Sequence, residues 1–211
     1  MIFKFNKKEL SWIIIAIIIL GFIIEFSTKY TLNSKGFIYA AIIILTSVLI
    51  KNLAADYFYV LIEHEIWSFR QWWWTVRAKF KKPIPLGLIL PFFVALVSIG
   101  SLKVMTILQF NGKPSKKKLL RKRGSKKYLE VNESDLAFIS AWASWGLLIL
   151  ALIATLIKQP ELARYSIYYG FWNLLPVGQL DGSKLFFGSF VNWVFLIIVY
   201  LISLISKVNL D

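Results

Sequence analysis

The chain has no cysteine and a single histidine, His64, in 211 residues. The first absence excludes a disulfide framework and any thiolate-based metal or redox site. The second excludes a zinc site built on two imidazoles of this chain. Acids are scarce as well, with 11 Asp and Glu against 25 Lys and Arg, for a net charge of +14. No Gly-rich phosphate loop follows a strand-like run, so nothing points to a nucleotide-binding enzyme.

Apolar residues dominate what is there, at 58% of the chain and a mean hydropathy of +0.65. Several apolar runs approach the roughly 20 residues that a helix needs to cross a bilayer. The expectation is an all-α integral membrane protein, folded as one bundle at this length. Nine Trp and nine Tyr fit interfacial aromatic belts. The lipid bilayer is therefore the first partner expected.

Lys4, Lys7 and Lys8 precede an apolar run from Leu10 to Phe26. No small-x-small cleavage site follows, so this run reads as a retained first helix and not a signal peptide. A polar turn with Asn33 and Gly36 separates it from a second helix, expected from about Phe37 to Ile62. From Phe69 to Lys82, Trp72, Trp73 and Trp74 stand among Arg70, Arg77, Lys79, Lys81 and Lys82, the composition of an interfacial segment, helical or extended. The stretch from Pro83 to Phe110 is apolar but punctuated by Pro85, Gly87, Pro91 and Gly100. Further spans are expected from Asp135 to Ile157, Glu161 to Leu180 and Phe186 to Ser206. The first of these carries small residues suited to close helix packing, Ser140, Ala141, Ala143, Ser144 and Gly146.

Charge bias decides the punctuated stretch. Nine of the 25 Lys and Arg lie between Lys113 and Lys127. If the stretch before them enters the membrane and returns, 18 Lys and Arg share the side of the N-terminus, against five on the other. That arrangement obeys the positive-inside rule far better than a full crossing does. The expected topology is thus about five transmembrane helices plus a re-entrant or interfacial element, with the N-terminus and basic loop cytoplasmic. Residues 1–36 would form the first helix and turn, 37–187 a membrane core with its basic loop at 111–134, and 188–211 the last helix. The basic loop would attract anionic lipid headgroups; no specific nucleic acid is implied.

Within the apolar region after Glu161, the chain reads Trp172-Asn173-Leu174-Leu175-Pro176-Val177-Gly178-Gln179-Leu180-Asp181-Gly182. A carboxylate inside a membrane segment is costly and usually has a partner or a task. The pattern Asn173, Pro176, Asp181, Gly182 resembles the second signature of the site-2 proteases, intramembrane zinc metalloproteases. The resemblance is strongest here and extends over about residues 37–187. It implies a site-2-protease-like core in which Asp181 matches the third zinc ligand. Two further ligands and the general base would come from an upstream His-Glu-x-x-His helix.

Two registers can be tried for that helix. One places it at His64-Glu65-Ile66-Trp67-Ser68, with Ser68 where the second His belongs. The other, which is favoured, places it at Lys51-Asn52-Leu53-Ala54-Ala55, directly after an apolar run; Lys51 and Ala55 then hold the ligand positions and Asn52 that of the base. Ile62 to Trp67 then resembles the edge segment that follows the motif in that family, and His64 becomes a membrane-surface residue between two acids. Neither register supplies the three protein ligands of a catalytic zinc. The favoured register predicts instead an ion pair between Lys51 and Asp181, since an unpaired Lys inside a membrane is as costly as an unpaired Asp. The alternative is that Lys51 snorkels to the headgroups and Asp181 caps a helix turn. Trp142 and Trp145 are expected to crowd the cleft in which family members hold a substrate helix.

The resemblance therefore implies a catalytically inactive relative that binds transmembrane segments of other proteins or serves as a scaffold, with no cofactor. An active zinc metalloprotease with atypical ligands is the first alternative. A membrane-insertion or ribosome-docking factor that works through the basic loop is the second.

Overall fold

A computed structural model describes residues 6–26, 35–71, 79–114 and 131–208. Trp72, Trp73, Trp74 and the basic stretch from residue 115 to 130 lie outside them. The described chain is mostly helical. Its helices are α1 (Lys7–Glu25), α2 (Lys35–Tyr57), α3 (Leu86–Val97), α4 (Glu133–Leu156), α5 (Pro160–Asn173), α6 (Asp181–Gly188) and α7 (Phe190–Val208). Two of them, α2 and α4, are long and apolar enough to cross a membrane.

Local chemistry accounts for several boundaries. Glu25 at the end of α1 accepts the backbone N–H of Gly36, which ties the first helix to the start of the second. The Asn132 side chain caps α4 by accepting from the Ser134 N–H. Pro160 opens α5 at a position whose N–H would have no helical partner. Helix α2 ends at Tyr57, earlier than the expected Ile62, because Tyr59 adopts a left-handed φ of 56° and the chain becomes a strand. Helix α5 likewise stops at Asn173, short of the expected Leu180. Pro176 has no N–H to continue the ladder and holds Leu175 away from helical backbone. Gly178 then turns the chain at φ +60°.

The all-α expectation has to be corrected for four strands, β1 (Val60–Ile66), β2 (Phe69–Gln71), β3 (Lys79–Ile84) and β4 (Leu108–Pro114). β2 and β3 pair with each other, so the aromatic and basic segment is extended where it is described. β1 and β4 pair antiparallel, from Val60 opposite Pro114 through His64 opposite Phe110 to Ile66 opposite Leu108. Between the two ribbons, α3 runs for about 18 Å, too short to cross a bilayer. The chain turns at Ile99 and Gly100, both at positive φ, and comes back extended through buried Val104, Met105, Thr106 and Ile107 into β4. The punctuated stretch thus goes out as a helix and returns as a strand. β1 supplies the hydrogen-bonding partner that broken backbone needs.

Helix α4 packs against α2, α5 and α6. Its small residues face inward, with Ser140, Ala143, Ser144 and Gly146 buried and Gly146 set against Ile50 of α2. Trp142 and Trp145 are 57% and 42% exposed, with the ring of Trp145 set against Phe195 of α7. Residues on either side of each Trp occupy the inner face of the helix, which leaves the two rings on its more exposed side.

Candidate functional site

Lys51 and Asp181 meet in the interior. Lys51 Nζ lies 2.6 Å from Asp181 Oδ2, and the two side chains are 2% and 5% exposed. Each arrives from a different part of the fold. Lys51 stands on the face of α2 that also buries Ala54 and Ala55, the i+3 and i+4 positions. Asp181 opens the short helix α6, where a carboxylate is favoured by the unpaired N–H groups of the first turn. Gly182 lets that turn approach the preceding one closely, since a Cβ there would overlap the carbonyl of Leu174.

The ring of Phe110, from β4, borders both lysines of this region. Lys51 Nζ is 5.3 Å from its centroid and Lys184 Nζ 3.7 Å, within the range of cation–π attraction. Lys184 also donates to the carbonyl of Gln179 at 3.0 Å. Directly across the ribbon from Phe110, His64 is 1% exposed, and neither ring nitrogen has a partner among the described residues. Burial, with the ammonium groups of Lys51 and Lys184 nearby, pushes the imidazole down to about 3. It is a neutral ring at physiological pH. The reading of His64 as a surface residue is corrected by strand geometry. Alternation turns Glu63 and Glu65 to one face and His64 to the other. The backbone N–H of His64 donates to Glu9 Oε1 at 3.0 Å, so a buried acid of α1 covers the outer edge of β1.

The other motif positions divide cleanly. Asn173 is buried and donates to the Tyr169 carbonyl at 2.8 Å, leaving its Oδ1 without a partner, as is Asp181 Oδ1. Ala55 is buried against Val60, Phe110 and Ile139. Asn52 bonds back to the Val48 carbonyl of its own helix. Glu65 accepts from Asn111, the Ser68 N–H donates to Gln109, and Pro176 is exposed. None of these last four is drawn to the ion pair. Phe110, Lys184 and Glu9 complete the surroundings without having been singled out in the sequence. Of these only Lys184 carried a signal, being three residues after Asp181 and so on the same face of a helix.

The donor chemistry does not fit a zinc centre. The group that meets Asp181 is a protonated amine, which has no lone pair to give. Among the described residues no three His, Cys, Asp or Glu side chains come together to hold a metal ion. One imidazole with one carboxylate is fewer than the three protein ligands of a catalytic site. What the arrangement can do is hold a cation and an anion together at the joint between α2, the ribbon and α6.

Comparison with protein-family models, with curated proteins and with solved structures returns no match.

Proposed function

We propose that the protein is a catalytically inactive, multi-pass membrane protein of site-2-protease-like design that binds transmembrane segments of other proteins. The observation that carries this reading is the Lys51–Asp181 pair, an ammonium lodged where the resemblance calls for a metal cation. A fixed positive charge there neutralises the buried carboxylate in the place of a metal cation. The exposed apolar faces of α2 and α4, with Ile38, Leu45, Leu49 and Leu53 on one and Ile149, Leu152, Ile153 and Leu156 on the other, suit lipid contact. The strand ribbon lies beside the ion pair, and a strand edge is a ready means of holding an unwound peptide.

A second reading, an atypical metalloprotease, draws on the partnerless nitrogens of His64 and the free Oδ1 of Asp181. One experiment separates the two. The full chain is reconstituted in liposomes with fluorescent single-span peptides, with and without added zinc or chelator. Energy transfer between protein and peptide without new fragments is the expected result. Chelator-sensitive cleavage with stoichiometric zinc would establish the second reading, and absence of any energy transfer would remove the binding role.

A further inference from the structure

The pocket of about 240 Å³ at the start of α4 is lined in part by Glu133, Leu136, Asn111, Ser183, Lys184 and Phe187. It opens beside the Lys51–Asp181 pair, not on it, and its lining combines opposite charges with apolar groups. Ser183 is 5% exposed, and its hydroxyl has no hydrogen-bond partner among the described residues. A buried hydroxyl without a partner costs about 1–3 kcal/mol, and this one borders an open space. Among the described residues Lys184 donates one hydrogen bond, to a carbonyl, and so retains N–H groups to donate. Glu133, exposed on the opposite helix, forms no ion pair with Lys184. The pocket therefore presents one amine with a hydroxyl beside it, and one separate anion. Burial pushes that amine down to about 7, so a bound anion would favour its charged form.

The mouth has a different character. Leu136 lines the pocket, and Phe187 is 74% exposed at its rim, with Phe190 a further 55% exposed along the same chain. Helix α4 begins at Glu133 and is long enough to cross a bilayer, so its first turn belongs at the level of the lipid headgroups. The volume is below the roughly 300–1,000 Å³ of pockets that engulf a drug-sized ligand. It suits a polar head whose tail lies outside, against the phenylalanines.

We infer that this pocket binds the headgroup of an amino-phospholipid, with the phosphate held by Lys184 and the Ser183 hydroxyl and the primary ammonium directed to Glu133. Three features select that chemistry. A zwitterion matches a wall whose two charges are separate and opposite. A primary ammonium has N–H groups for the Glu133 carboxylate, which a trimethylammonium lacks. A glycerol headgroup would leave Glu133 facing a group without charge and bring net negative charge beside it. The assignment requires only that α4 enters the bilayer; it stands or falls separately from the inactive-protease reading.

The test uses the full-length protein, delipidated in detergent and offered phosphatidylethanolamine, phosphatidylcholine and phosphatidylglycerol in equal amounts, with bound lipid read by native mass spectrometry. Retention of phosphatidylethanolamine about tenfold above the other two is expected, since one good charge-assisted contact is worth about that factor. Glu133→Gln should bring it down to the phosphatidylcholine level. Ser183→Ala and Lys184→Gln should weaken all three phospholipids, Lys184→Gln more. Ser183→Ala and Glu133→Gln are small changes at the wall and keep the test informative if Lys184→Gln fails to fold. Equal retention of the three lipids, or a preference unchanged in Glu133→Gln, would overturn the assignment. Glycerophosphoethanolamine competing as strongly as the lipid would overturn the membrane source in favour of a free solute.

Discussion

Two ion pairs of nearly equal length, one on the β1–β4 ribbon and one between α2 and α6 beside it, do different work. On the outer face, Lys113 meets Glu63 at 2.8 Å with side chains 62% and 46% exposed. On the inner side, next to His64, Lys51 meets Asp181 at 2.6 Å with side chains almost wholly buried. The outer pair trades contacts with water for contacts with each other, and salt screens it. The inner pair has no water to return to, so each charge depends on the other. Distance does not distinguish these pairs. Burial does.

The largest expected effect comes from breaking the inner pair on one side only. Lys51→Met or Asp181→Asn alone should cost roughly 3–5 kcal/mol, because an uncompensated polar or charged group is left inside. The double variant Lys51→Met with Asp181→Leu should recover most of that loss. Reversible unfolding of the detergent-solubilised protein measures both. A double variant as unstable as the worse single one would mean that the pair is needed for more than mutual neutralisation.

A smaller effect concerns His64, whose folded value of about 3 lies below that of an exposed imidazole. The unfolded chain therefore takes up a proton as the pH falls below about 6.5, while the folded chain does not. Stability should be independent of this group above that pH. It should fall by about 1.4 kcal/mol per pH unit beneath it, or about 2 kcal/mol by pH 5. Comparing His64→Leu with the parent isolates this contribution from the carboxylates. A parent and variant with the same slope between pH 6.5 and 5 would mean that the imidazole is not buried in the neutral form.

The smallest effect belongs to the outer pair. Lys113→Ala and Glu63→Ala should leave the unfolding midpoint unchanged within error, in low salt and in high salt. A loss comparable to that of Lys51→Met would erase the contrast between the exposed pair and the buried one.

Much of the candidate site could be read without a structure, and the reason is energetic. Lys51 and Asp181 each interrupt a long apolar run, and buried charge of one sign calls for the other. The structure brings these two residues together. Lys184 could be placed beside Asp181 by its spacing of three, but Phe110 was not legible as a neighbour of that pair. Phe110 belongs to a return strand within a stretch whose prolines and glycines blur both the helical and the strand period. His64 was misread because its acidic neighbours were taken to describe its surroundings. In a strand the flanking residues describe the opposite face. The early ends of α2 and α5 show the same limit from another side, since apolar composition continued past the point where backbone geometry changed.

Where the sequence led to an expectation of about five spans, two of the described helices are long and apolar enough to cross a membrane. The sequence alone determined the mostly helical character of the chain and the need of each interior charge for a partner. These follow from local quantities: run length, periodicity and the cost of desolvating an ion. Only the tertiary structure decided that Lys51 is the cation facing Asp181, that a strand carries His64 inward, and that Ser183, Lys184 and Glu133 share a pocket. Those outcomes depend on how α2, α4, α6 and the ribbon pack together. Packing joins residues far apart in the chain, and no local pattern specifies which will meet.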